Sequence, residues 1–438
     1  MSTLRAYRLR GLIVPLLFLW TLAAATLPLR GAEPPNVLFL ICDDLNCDLG
    51  CYGHPQVKTP HIDRVARDGL VFDNAYVVTS KCAPCRAALL TGRNIWQLEE
   101  AANHQCYFPS KFKAFTESLQ EAGVHCGSVG KTWGPGEAKL ADGSRRDFAL
   151  PVHGKSRQPG ENFRQFLEAR PEGHPFFFWF GSSNPHRAYK LNAGLEAGKK
   201  LTDIDRVPAY WPDNETVRGD MLDYAMEVEA FDQQAGSLLD VLDASGLAEN
   251  TIVIVTSDHG MPFPRVKGHT FDDAHRVPFI VRWPAGIVDP GRRVEALTSF
   301  IDLAPTFLEL YGVDPVAAGM GKLPGRSLLD LFRNQPEIER PFVLIGRERN
   351  DAYARPGSPG GLGYPARGIR RGPYPYVHNF APDRWPCGNP DMGLKDTDAS
   401  PTKKLIEDLG EADSYWQHAF GKRPAEQFFN VEPDPDCV

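Results

Sequence analysis

Three stretches of the chain are apolar at nearly every position rather than at alternate ones: Asn36 to Cys42, Pro175 to Phe180 and Thr251 to Thr256. A strand with one wet face alternates apolar and polar residues. Unbroken runs therefore predict strands covered on both faces, as in a parallel sheet lined by helices. Val124 to Val129 and Phe279 to Trp283 read as further strands. Between them the spacing turns helical. Phe115 to Ala122 is closed by Gly123, Arg218 to Ala244 is stopped by Gly246, and Ser299 to Tyr311 forms a third helix. Thr59 is placed to cap, and Pro60 to open, a helix that Gly69 ends. The expectation is an α/β fold with a large, mostly parallel sheet sandwiched by helices.

The pattern changes after Pro324-Gly325-Arg326-Ser327 and Arg340-Pro341. From about Phe342 the segments are shorter and richer in Gly, Pro and Tyr. Phe342 to Ile345 and Tyr374 to Phe380 read as strands of a smaller antiparallel sheet, with one helix around Glu407 to Phe420. The chain thus divides into residues 33–340, the larger α/β domain, and 341–438, a C-terminal α+β subdomain. The 438 residues exceed one ordinary core. At the other end, Arg5, Arg8 and Arg10 precede the apolar run Leu12 to Ala25 and small residues at Gly31-Ala32. This is the pattern of a cleaved export signal over residues 1–32. The run is short for a membrane anchor and is broken by Pro15. A periplasmic or secreted product is expected, lysosomal in a eukaryote, with no stable membrane insertion after cleavage.

The formal net charge is −7, and removal of residues 1–32, with four arginines and no acids, takes it to −11. Such a field attracts neither nucleic acid nor a sulfated polymer, so anion binding needs a local basic cluster. Nine cysteines without small-scaffold spacing do not form a disulfide framework. Cys42, Cys47 and Cys51 lack a fourth ligand at finger-like spacing, which makes zinc the weaker reading.

The polar residues after the apolar runs carry the chemistry. Asp43-Asp44 comes directly after the first run, and Ser257-Asp258-His259-Gly260 directly after the Thr251 to Thr256 strand. Carboxylates at the C-terminal ends of central strands stand where open α/β sheets bind ligands. Two adjacent acids repel unless a cation compensates, and a hard divalent metal is the economical explanation. Lys131 lies past a strand in the glycine-rich turn Gly130 to Gly136, placed to reach an oxyanion, and His186 sits in the loop after Phe180. Cys82 lies at the start of a short helix with Pro84 in its first turn, Arg86 one turn in and Gly92 at its end. Free N–H groups and a guanidinium there favour an anion. A buried structural cysteine is the plain alternative.

Cys82-Ala83-Pro84-Cys85-Arg86 with Leu89-Leu90-Thr91-Gly92-Arg93 resembles the signature of the type I sulfatases. Strand–Asp43–Asp44, Gly130-Lys131, Asn184-Pro185-His186 and Asp258-His259 fall in that family's order, as does Lys267-Gly268 leading to Arg276-Val277-Pro278. The resemblance implies an alkaline-phosphatase-like fold and a formylglycine (3-oxoalanine) made from Cys82, whose hydrate is the nucleophile. It implies one metal ion, calcium ahead of magnesium, held by Asp43, Asp44, Asp258, His259 and the residue at Cys82. It further implies Arg86 as the nucleophile's partner and a holder of the sulfate, Lys131 and Lys267 on the sulfate, His186 as sulfate contact and proton donor, and Asp258 as base. Trp133, Arg187 and His269 are expected to border the sugar, with His275 a further candidate, while solvated loop histidines are at least as good a reading of His269 and His275. A sulfated carbohydrate and a formylglycine-generating or sulfatase-maturing enzyme are the implied partners.

The chain departs from the family pattern at Lys81, at Cys85 and after Lys131. Thr132, Trp133 and Gly134 stand where many members have a histidine touching the formylglycine. His104 and His153 are candidate substitutes that the sequence does not place. Asn184 to Arg187 and Gly260 to Pro264 resemble the heparan N-sulfatase branch, which acts on N-sulfoglucosamine. Cys82-Ala83-Pro84 and Ser257 to Gly260 resemble iduronate-2-sulfatases. The first is favoured because Met261 to Pro264 lies beside the site, leaving an O-sulfatase or a non-catalytic sulfated-glycan binder as alternatives. The segment Phe428 to Asp436 resembles one that usually has more chain after it, as in a truncated product.

Overall fold

The three unbroken apolar runs lie side by side in the computed structural model. It describes residues 33–153, 158–335, 340–357 and 361–438, of which Pro34–Val438 form one compact unit. The export-signal reading at residues 1–32 lies outside the described residues. Asn36–Cys42 is central, paired in parallel with Phe176–Gly181 on one side and Thr251–Ser257 on the other; His125–Gly130 pairs in parallel with Phe176–Gly181. Beyond Thr251–Ser257 the sheet turns antiparallel through Phe279–Arg282 to Leu70–Phe72, and Arg293–Val294 closes that edge. The large, mostly parallel sheet is thus as expected.

Alternate residues of the central strand enter different cores. Val37, Phe39 and Ile41 pack with Leu89, Phe115 and Phe307 from the helices Cys82–Thr91, Phe115–Glu121 and Leu303–Leu310. Leu38, Leu40 and Cys42 pack with Ile62, Phe163 and Leu238 from Pro60–Arg67, Pro159–Ala169 and Glu215–Ala244. Two apolar layers explain why the strand carries no polar residue from Val37 to Ile41.

Strand register levels one edge of the sheet. Cys42 pairs with Ser257, Ile41 with Gly181, and Gly181 with Gly130. Four parallel strands therefore end nearly together, and the residues after each emerge along that edge.

Four local expectations change. Thr59 makes no capping bond; its hydroxyl accepts from Gly50 N and donates to Asp63. Asp232 of the long helix instead accepts from His61 N and Ile62 N, so a distant carboxylate caps the Pro60 helix. Ser299 to Tyr311 is a strand residue pair, a 3-10 turn and then Leu303–Leu310. The C-terminal helix is two, Pro401–Leu409 and Ser414–Phe420, capped by Ser400 and Asp413 and separated at Gly410, whose φ of 81° ends the first. The small antiparallel sheet has four strands, Val343–Arg347, Ala366–Arg371, Tyr374–Asn379 and Glu426–Phe428. Ala366–Arg371 escapes a hydrophobicity reading because its buried positions are Ala366, Gly368 and Arg370. Arg370 Nε donates to Asp272 Oδ1 at 2.9 Å.

All nine cysteines are unpaired, and no helix among the described residues is long and apolar enough to cross a membrane.

Candidate active site

The level strand ends gather the expected polar residues. Asp43 and Asp44 leave Asn36–Cys42, Asp258 and His259 leave Thr251–Ser257, Lys131 leaves His125–Gly130, and His186 comes after Phe176–Gly181. The approach is close at Gly130 and Gly181. Gly130 has φ 81°, and a Cβ there would lie 2.1 Å from the Gly181 carbonyl. A Cβ on Gly181 would meet the Lys131 carbonyl at 1.8 Å. Only glycines let these two strand ends touch. Lys131 Nζ then reaches Asp43 Oδ2 at 2.6 Å, and Lys267 Nζ reaches Asp44 Oδ2 at 2.7 Å.

The Cys82 helix is buried along its whole length and points its first residue into this cluster. Cys85, one turn on, belongs to the apolar core that includes Phe115 and Ile254, and burial, reinforced by Asp258, pushes its thiol well above the ordinary range. Burial and Asp43 oppose ionisation of Cys82 too. Lys131, Lys267 and a hydrogen bond with His104 outweigh them and hold its thiol well below the ordinary range. The two cysteines are thereby distinguished, since Cys82 has the two lysines beside it and its thiol shifts down while that of Cys85 shifts up.

Arg86 has no exposed surface. Its Nε donates to Asp258 Oδ2 at 2.8 Å, Nη1 to the Lys131 carbonyl at 2.7 Å and Nη2 to the Cys42 carbonyl at 3.3 Å. Three strand ends are tied by one guanidinium. Each of the three Arg86 nitrogens thus donates to a protein acceptor. Arg86 positions Asp258 and the Lys131 turn.

The donor set fits a divalent cation. One ligand atom each of Asp43, Cys82, Asp258 and His259 lies within 4.8 Å of the others. Asp43 Oδ1, Asp44 Oδ1 and His259 Nε2 are buried without a hydrogen-bond partner. Orphaned acceptors with carboxylate-rich surroundings are what a hard cation satisfies.

Known proteins share this fold. The family model described as Sulfatase matches residues 35–313. The chain belongs to the sulfatase family. It is 25% identical over 411 residues to an ulvan-active sulfatase of Formosa agariphila, covering 81% of this chain and 62% of that one. It is 29% identical over 392 residues to human N-sulphoglucosamine sulphohydrolase, covering 81% of this chain and 75% of the relative. The fold also superposes on a Bacteroides thetaiotaomicron protein solved in a study of glycosaminoglycan metabolism, at TM-score 0.68 and 18% identity over 93% of this chain and 91% of the other.

Within this sulfatase fold, four residues expected at the sugar are engaged elsewhere. Trp133 donates its indole N–H to the Ala83 carbonyl at 3.0 Å and packs edge-on against Phe108, so it braces the Cys82 helix. Arg187 forms a two-pronged pair with Asp220, 2.8 Å on each side, and lies between Tyr189 and Phe263. His269 is buried, with Nε2 3.0 Å from Cys387 Sγ. His275 is likewise enclosed, with its ring nitrogens against the Val77 and His269 carbonyls.

Two residues arrive that motif reading does not assign. His104 contacts the Cys82 side chain, its Nδ1 buried and unpartnered. His153, the other candidate, packs against Phe166 under the sheet instead. Asp398 comes from the C-terminal segment and lies 2.8 Å from Lys267 Nζ. The signal for it is slight, since Lys395-Asp396-Thr397-Asp398 reads as a solvated loop. Lys81, the residue at odds with the family pattern, donates to the Asp396 carbonyl at 3.3 Å and so fastens that loop.

The site's protons give a testable sign. Burial, reinforced by Asp43, raises the Asp258 carboxyl to about 7. Burial pulls His259 down, but Asp258 and Asp44 prevail and raise it to about 9. Both folded-state values exceed those of the unfolded chain, about 3.9 and 6.5, so the cation-free fold loses stability as pH rises through 7 to 9. A cation replaces these protons. In Cys82→Ser protein, which lacks the thiol's own titration, calcium should therefore raise the melting temperature more at about pH 9 than at about pH 7. Scanning calorimetry with calcium or a chelator checks this, and an equal or smaller increment at high pH contradicts it.

Proposed function

We propose that the protein releases sulfate from a sulfated sugar of the N-sulfoglucosamine type, using Cys82 converted to formylglycine and a calcium ion held by Asp43, Asp44, Asp258 and His259. The aldehyde hydrate supplies the attacking oxygen, and the cation supplies Lewis-acid polarisation. Lys131 and Lys267, anchored on Asp43 and Asp44, meet the sulfate oxygens from two sides. His186, 37% exposed beside fully buried Asp44, is placed to protonate the departing oxygen or nitrogen. His104, in contact with Cys82, takes the proton from the nucleophile's side, the part left open by Thr132-Trp133-Gly134.

The observation that carries this reading is the convergence of five sequence-distant segments on Cys82. The N-sulfo preference is supported by the human relative and by Met261-Pro262-Phe263. The Pro262 carbonyl accepts from Arg187 Nε at 2.9 Å and Phe263 stacks on its guanidinium, so this segment sets the His186 turn.

The test is sulfate release by converted, calcium-loaded protein from N-sulfoglucosamine and from 2-O- and 6-O-sulfated sugars. A preference for the sulfamate of at least ~10-fold in kcat/KM is expected, on the scale of one good contact. Preference for an O-sulfate overturns the substrate, and no release from any overturns the activity. His104→Ala should lower kcat by roughly 10²–10⁴-fold, the range for a lost proton-transfer group, with little change in KM. Unchanged kcat would remove His104 from the chemistry.

A further inference from the structure

Asp398 does not come from the strand edge that supplies the acids and bases around it. One ligand atom each of Asp398, His186 and Asp44 lies within 4.8 Å of the others. The Asp398 side chain is 25% exposed and His186 is 37% exposed, whereas Asp44, Asp258 and His259 are fully buried. Asp398 and His186 therefore stand together on the open side of the cluster. A leaving group that takes its proton from His186 must place its neighbouring atoms beside Asp398.

The carboxylate is held there firmly. Two residues before it, Asp396 is buried and accepts from Arg355 Nη2 at 2.6 Å and from Asp351 N at 2.5 Å, with Arg347 Nη2 at 3.4 Å. Lys403 Nζ donates to the Thr397 carbonyl at 3.1 Å. Lys267 sits between Asp398 and Asp44, and Lys81, the other lysine acting on Asp398, is held on the Asp396 carbonyl at 3.3 Å, so both lysines are already engaged. Burial opposes ionisation of Asp398, but Lys267 and Lys81 prevail and keep it a carboxylate.

We propose that Asp398 is a specificity-determining residue: it accepts a hydrogen bond from a hydroxyl or amino group on the sugar carbon next to the sulfated position, and it rejects a second sulfate or a carboxylate there. This rests on the sulfate-releasing reading above. A donor finds an acceptor already fixed in place. An anion meets a fixed negative charge whose counterion is committed, and a site built around a hydrogen bond discriminates strongly against a partner that cannot make it.

The experiment compares N-sulfoglucosamine with its 3-O-sulfated counterpart, in wild-type protein and in Asp398→Asn, with Asp398→Ser as a second probe. Turnover is read as kcat/KM. Affinity is read by calorimetry on Cys82→Ala protein, which binds without turnover. Wild-type protein should favour the free 3-hydroxyl by roughly 10²-fold or more, and the Asp398 variants should narrow this to within about 10-fold. The affinities should show the same ordering, lost when Asp398→Asn is added to Cys82→Ala. Equal handling of both sugars by the wild type, or an unchanged preference in the variants, overturns the proposal. If the wild type releases sulfate from neither sugar while the Asp398-dependent binding preference is present, the catalytic reading fails and the specificity assignment stands.

Discussion

Cys82→Ala protein should release sulfate at a rate lower by roughly five to six orders of magnitude, the scale on which removal of a covalent nucleophile is felt. Its neighbour supplies the control. Cys85→Ala should keep turnover within about 10-fold, because Cys85 is buried in the apolar core behind the site and only a small cavity results. Sulfate release by the two variants, each checked for folding by circular dichroism, separates a reactive thiol from a structural one. Near-wild-type rates in Cys82→Ala, or loss of activity in Cys85→Ala alone, would assign the chemistry to the wrong cysteine.

The second large effect is on stability. Arg86→Met should destabilise the cation-free protein by about 3–5 kcal/mol, the usual consequence of removing one partner from a buried ion pair. Asp258 would lose its 2.8 Å partner and Asp43 its neighbour at 3.8 Å, both inside a cluster that also holds Asp44. The Cys42 and Lys131 carbonyls would lose a donor at the same time. Urea unfolding with a chelator present measures the loss. Repeating it with calcium should recover part, since a cation between Asp43 and Asp258 relieves the same repulsion. A change below about 1 kcal/mol would mean that Arg86 is not what holds the strand ends together.

Much of the fold and of the site can be read in the sequence for one physical reason. A strand enclosed by two apolar layers tolerates no charged residue until it ends, so Asp43-Asp44 and Asp258-His259 announce themselves as the first charge-bearing groups past Cys42 and Ser257. Lys131 and His186 obey the same logic. What escapes the sequence depends on distance. Asp398 and His104 lie in loops with no periodicity, and only the packing of the C-terminal segment against Lys81 and Lys267 brings the first of them in. Arg187 misleads in the opposite sense. A basic residue beside a candidate catalytic histidine reads as a substrate contact, but Asp220, from the long helix, claims both of its prongs. The cap of the Pro60 helix fails likewise, since Asp232 lies far along the chain from Thr59.

Everything turns on Cys82 as the altered residue that faces the cluster of Asp43, Asp258 and His259. The most direct measurement is the mass of the peptide spanning Ser80 to Arg93, taken from a preparation that releases sulfate and treated with a thiol-alkylating reagent. The expected peptide carries an aldehyde in place of the Cys82 thiol and an alkylated Cys85. An active preparation in which Cys82 is recovered wholly as the alkylated thiol would contradict the formylglycine mechanism.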